Sequence, residues 1–164
     1  MTLEFTVRDG TVKYISTMTP LTGASGSARI SDNGLIFDLN GGTIGTLNIL
    51  PSRVEIPKLR PKGGDMIITV NAQGDASEML TLLNQDPFNF ADRYDTDPTQ
   101  IEGQGDISVT ITRPLLEYFD QNRIQYVVKG NFTNVTAPFQ IGAYGLTKGN
   151  VSLNVDKTGL QVVG

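Results

Sequence analysis

The chain alternates apolar and polar residues in short runs separated by glycine-rich turns, the period-2 pattern of strands with one buried face. Leu3, Phe5 and Val7 alternate first, and Asp9-Gly10 offers a hairpin turn into Val12–Ile15. Met18–Gly26 reads as a loop, and Ser27–Ser31 as a strand with Ala28 and Ile30 on one face. Asp32-Asn33-Gly34 is a turn before Leu35, Phe37 and Leu39. Asn40-Gly41-Gly42 reads as another turn, followed by strands at Ile44–Ile49 and Arg53–Ile56. Asp65–Asn71 is a strand presenting Met66, Ile68 and Val70.

The period then changes once. Met79, Leu80, Leu82 and Leu83 form a helical stripe within Asp75–Gln85, with Asp75 as N-cap, Glu78 three residues on and Asp86-Pro87 as the stop. A helix this short must lie on the sheet to persist. A helical turn is expected around Phe90–Arg93, then a polar loop. Alternation returns in Gly105–Thr112, with Ile107, Val109 and Ile111 on one face and Pro114 ending the ladder. Strands at Arg123–Gly130, Phe139–Tyr144, Asn150–Val155 and Leu160–Val163 complete the chain. The last two present Leu153, Val155, Leu160 and Val162.

Two stretches match without a gap: Leu21–Leu35 (LTGASGSARISDNGL) and Leu146–Leu160 (LTKGNVSLNVDKTGL). A second, offset alignment pairs Phe5–Arg8 with Tyr126–Lys129. One β unit used twice is the reading, with related units at about 3–39 and 124–163 of a single domain spanning 1–164. The chain starts and stops in strand-like sequence, so a fragment of a longer protein is expected. The fold class expected is mainly β, a β-rich α+β arrangement. It is a twisted, mostly antiparallel sheet of repeated units forming a curved groove with one short helix packed on it.

Composition narrows the chemistry. The 164 residues contain no Cys and no His, which removes the usual zinc ligand sets, disulfides and His-dependent nucleophilic triads. The net charge of −4, without a basic run, argues against a nucleic-acid partner. The acidic stretch Asp92, Asp95, Asp97, Glu102 and Asp106 lacks the spacing of a calcium loop and reads as a solvated face. No cofactor and no metal is expected. The glycine clusters lack a phosphate-loop order and read as turns.

The order of these pieces resembles a known family. Phe5-Thr-Val-Arg-Asp-Gly-Thr-Val-Lys-Tyr14, Met18-Thr-Pro-Leu-Thr-Gly-Ala-Ser-Gly-Ser-Ala28, Asn33-Gly-Leu-Ile-Phe37 and Gly41-Gly-Thr-Ile-Gly45 are similar to the large AsmA-like periplasmic proteins of Gram-negative bacteria. The likeness is to their YhdP/TamB-related members. The helix at Asp75–Gln85 and Gly103-Gln-Gly-Asp-Ile-Ser-Val-Thr-Ile-Thr-Arg-Pro-Leu115 continue the resemblance, which is weakest over Phe88–Glu102. It implies a segment of a long β groove, held by an inner-membrane anchor outside these residues, that shields lipid acyl chains crossing the periplasm. It implies no catalytic residues. The partners implied are lipid acyl chains and neighbouring segments of the full-length chain.

The lipid-facing candidates are Ala28, Ile30, Leu35, Phe37, Leu39, Met66, Ile68, Val70, Ile107, Val109, Ile111, Leu153, Val155, Leu160 and Val162. The same residues also suit a closed core. Two other readings stay open at this point: a structural or assembly β domain without ligand, and a hydrolase built on carboxylates.

Overall fold

The computed structural model describes residues 2–141 and 144–164. Nine strands form one antiparallel sheet whose spatial order is the chain order, a meander from edge to edge. They are β1 (Leu3–Val12), β2 (Leu21–Ile30), β3 (Leu35–Ile44), β4 (Leu47–Ile56), β5 (Asp65–Asp75), β6 (Glu102–Pro114), β7 (Gln125–Ile141), β8 (Tyr144–Asp156) and β9 (Gly159–Val163). Between β5 and β6 lie helices α1 (Ala76–Leu83) and α2 (Phe90–Arg93) and a 3-10 turn at Pro98–Gln100. The sheet is open and twisted, as the sequence pattern predicts. Register shifts in five of the strand pairs, β1–β2, β2–β3, β4–β5, β6–β7 and β7–β8, add local twist.

Several boundaries differ from the sequence reading, for physical reasons. Asp9-Gly10 is not a turn: β1 runs through it as an irregularity between the Val7↔Gly26 and Gly10↔Ala24 pairs, with Asp9 at φ 53°. The first part of Met18–Gly26 is a loop, but β2 begins at Leu21. Asn40-Gly41-Gly42 is inside β3, and the turn comes at Gly45-Thr46. Gly42 is there because a Cβ would lie 2.7 Å from Leu21 Cδ1 and 2.9 Å from the Thr22 carbonyl. That turn splits the strand read at Ile44–Ile49, leaving Ile44 at the end of β3, and Leu47–Ile49 and Arg53–Ile56 are the two halves of β4. They are joined through Pro51, whose missing donor falls where the β4–β5 register slips. Part of the Phe139–Tyr144 strand, Gly142 and Ala143, lies outside the described residues.

The two stretches that match without a gap pair alike at their hairpins. Ile30 faces Leu35 in the β2–β3 hairpin as Val155 faces Leu160 in β8–β9. The offset alignment is shifted from the sheet register. Leu3 stands opposite Ile30 as Val128 stands opposite Val155, so Phe5 corresponds to Gly130 rather than to Tyr126.

Helix α1 covers one face of the sheet. It is shorter than its sequence pattern, and Asp75 sits at the N-cap without capping it through its side chain. The Asp75 carboxylate instead accepts a hydrogen bond from Gln104 Nε2, its cross-strand partner. Ala76 and Met79 are buried against a core cluster that includes Leu47, Ile49, Ala72, Ile107 and Val128. A second cluster joins Met18, Ile68, Phe88, Ile111 and Ile124, bringing the loops after β1 and β6 onto the same face. Met79→Ala is expected to cost about 2–4 kcal/mol, measured as a shift in the urea midpoint at constant slope.

Candidate functional site: the apolar sheet face

Antiparallel partners share a face, so the register follows that face across the whole sheet. One rung reads Phe5, Ala28, Phe37, Val54, Ile68, Ile111 and Tyr126. Another reads Val70, Val109, Val128, Val155 and Leu160. A third reads Ile49, Ala72, Ile107, Gly130, Leu153 and Val162. Every candidate named from the sequence lies on this one face. The opposite face carries Glu4, Arg29, Asp38, Arg53, Lys129 and Asn154. Two cross-strand pairs form there, Arg29–Glu4 and Arg53–Asp38, each at 2.7 Å. These exposed pairs favour the register more than they stabilise the fold.

The face is not uniformly covered. Ala28, Leu39, Ile68, Ile107, Ile111 and Val155 are buried, and Ile30, Leu35, Phe37, Met66, Val70, Val109 and Leu153 are half-buried. Val109 lies beneath α1 beside Met79, Leu82 and Leu83. Leu160 and Val162 on β9 remain exposed, as do Leu3 and Phe5 on β1 at the other edge. The sequence reading left out Leu3 and Phe5, although their alternation was visible. It also left out Leu47, Ile49, Val128, Phe132 and Val151, whose signal is blurred by Pro51, by the run Tyr126-Val127-Val128 and by glycines.

The cover is built from the segment between β5 and β6. The pairing of those two strands is unbroken from Asp65↔Pro114 to Asp75↔Gln104, so residues 76–103 project from a closed hairpin and fold back on the face. Asn84 and Asp92 exchange two hydrogen bonds of 3.0 Å, locking α1 to α2. Arg93 Nη1 donates to Tyr126 Oη at 3.1 Å, and Phe88 meets the Tyr126 ring edge-on at 5.6 Å. The far end is clasped by the β1–β2 loop. Thr19 N donates to Gln85 Oε1 at 2.8 Å, Gln85 Nε2 to Thr19 Oγ1 at 2.8 Å, and Thr17 Oγ1 to the Asp86 carbonyl at 2.5 Å.

Packing beneath this cover is incomplete. A cavity of about 120 Å³ lies between α1–α2 and the β7–β9 side of the sheet, and a smaller one of about 30 Å³ lies on the β3–β6 side. Both touch Met79, Leu83 and Ile107. Two glycines shape the larger one, because the Phe132 ring lies across Gly105 and Gly130. A Cβ at Gly105 would sit 2.5 Å from Phe132 Cδ1, and one at Gly130 2.6 Å from Phe132 Cε2.

Arg113 shares the face, opposite Met66, with its guanidinium 4.8 Å from the centre of the Phe119 ring. The carboxyls of Asp97 and Asp156 are held below the usual carboxylate range, first by hydrogen bonds from the Thr99 and Thr158 side chains. Among the described residues, no three acidic side chains gather as a metal site. Tyr14, which packs on both core clusters and donates to the Thr19 carbonyl at 2.9 Å, is pushed up to about 12 by burial. Between pH 10 and 12 the unfolded chain has lost a phenolic proton that the folded chain keeps, so stability falls as pH rises through that window. Below pH 10 the contribution is fully present. Tyr14→Phe is expected to flatten this decline in urea midpoints between pH 10 and 12.

The geometry defines a class: an open, meandering antiparallel sheet with one apolar face, partly roofed and bare at both edges. The sequence profile of the family described as YhdP protein matches residues 1–162, and the chain belongs to that family. No curated protein and no solved structure was found to match it. No helix among the described residues is long and apolar enough to cross a membrane.

Proposed function

We propose that this chain is a non-enzymatic, lipid-handling segment of a bacterial envelope protein. Its apolar sheet face takes the acyl chains of phospholipids on their way to the outer membrane. The observation that carries this reading is the apolar face itself, continuous by register from β1 to β9 and bare at both edge strands. Such a face binds hydrocarbon by area burial, at roughly 25 cal/mol per Å², and needs no polar code. YhdP family membership supports an envelope setting. The segment works in the periplasm, with the full-length protein anchored in the inner membrane by a helix outside these residues and with neighbouring segments extending the face.

A structural domain without ligand is favoured by one feature, the packing of Ile68, Phe88, Ile111 and Ile124 in the second cluster. A hydrolase has no such support, since the carboxyls that shift, Asp97 and Asp156, shift down rather than up. Native mass spectrometry of the protein purified from a bacterial envelope separates the readings. Co-purified phospholipid is expected; a lipid-free protein that stays lipid-free with phosphatidylethanolamine vesicles would favour the structural domain.

A further inference from the structure

The cavity between the cover and β7–β9 stands out from the rest of the face, because the protein builds walls around it and leaves it unfilled. The cover contributes Ala76 and Ala91, its smallest apolar side chains, where larger ones would close the gap. The sheet contributes Val128, Val151 and Val155, and Phe132 flattened on its glycines. The lining is apolar almost throughout, so water finds no partners there, and a dry apolar cavity of this size accepts hydrocarbon. Its lining also includes exposed side chains, Leu160 and Val162 on β9 and Tyr94 after α2, so it opens at the β9 edge.

We infer that this cavity is a binding site for the end of one unbranched acyl chain, which enters at the β9 edge and lies between α1–α2 and β7–β9. Resting on the lipid-handling reading, this assigns the site and the part of the lipid it takes. The apolar walls admit a tail and exclude a charged headgroup, which stays outside by Tyr94. The site is separate from the second core cluster, where Met18, Phe88 and Ile124 fill the face. The cover is therefore one wall of the site as well as a lid on the core.

The test is methyl NMR of the 164-residue chain titrated with dodecanoate. Shifts are expected at Val128, Val151, Val155, Leu160 and Val162, with Val54 and Ile68 unmoved. Ala91→Leu, which fills the cavity, is expected to weaken binding at least tenfold. Leu83→Ala, which enlarges it, is expected to tighten binding, so the site stays testable if the first variant folds poorly. Shifts centred on Val54 and Ile68, or affinity indifferent to both variants, would overturn this site and leave the wider reading standing. No shift at any methyl would overturn both.

Discussion

Val155→Asp is expected to abolish folding of the domain. Val155 is 1% exposed and sits on β8, next to the edge strand, opposite Val128 and Leu160. A carboxylate there has no donor within the core to meet it, and burying it unpaired costs more than about 4 kcal/mol, a large share of a small domain's stability of about 5–15 kcal/mol. Val162 is the control. It lies on the same face, opposite Leu153, but is 49% exposed. Val162→Asp is expected to keep the far-UV circular dichroism and melting transition of the parent while placing a charge at the edge where we propose that acyl chains enter. If Val155→Asp melted like the parent, Val155 would not be enclosed between the sheet and the cover as described.

Gly105→Ala is the second large effect. Its Cβ would fall 2.3 Å from the Asn131 carbonyl oxygen and 2.5 Å from the Phe132 ring. The carbonyl is backbone held in the β6–β7 ladder and cannot yield without breaking it. The cost expected is about 3 kcal/mol, at the upper end for overpacking, read as a lowered urea midpoint. Gly159→Ala meets nothing within 4 Å and is expected to change stability by less than about 0.5 kcal/mol. Equal effects at the two glycines would refute the close approach of Phe132 to β6.

The residues show why some of this was legible in the sequence and some was not. Ile107, Val109 and Ile111 alternate cleanly because β6 is regular where it pairs with β5. The face they predict is the one observed. Strands β2 and β3 were partly hidden by Gly23, Gly26, Gly41 and Gly42. Those glycines read as turns, whereas Gly26 and Gly42 admit close neighbours within the sheet. The helical stripe was plain, but the closed hairpin beneath it was not. Asp75 and Gln104 are 29 positions apart, and nothing local marks them as partners. The same gap explains Val109: alternation assigns its face but not its roof, so a charge there probes the core beneath α1, and Val162 is the better probe of an open groove.

The central claim, that the apolar face and not the polar one meets lipid, is tested most directly by photocrosslinking in living cells. A photoreactive amino acid is placed at Val162 and, in a second strain, at its neighbour Gln161 in the full-length protein. The two side chains point to opposite faces of β9. A phospholipid adduct at position 162 and none at 161 is the result predicted. Adducts at neither position, or equally at both, would contradict it.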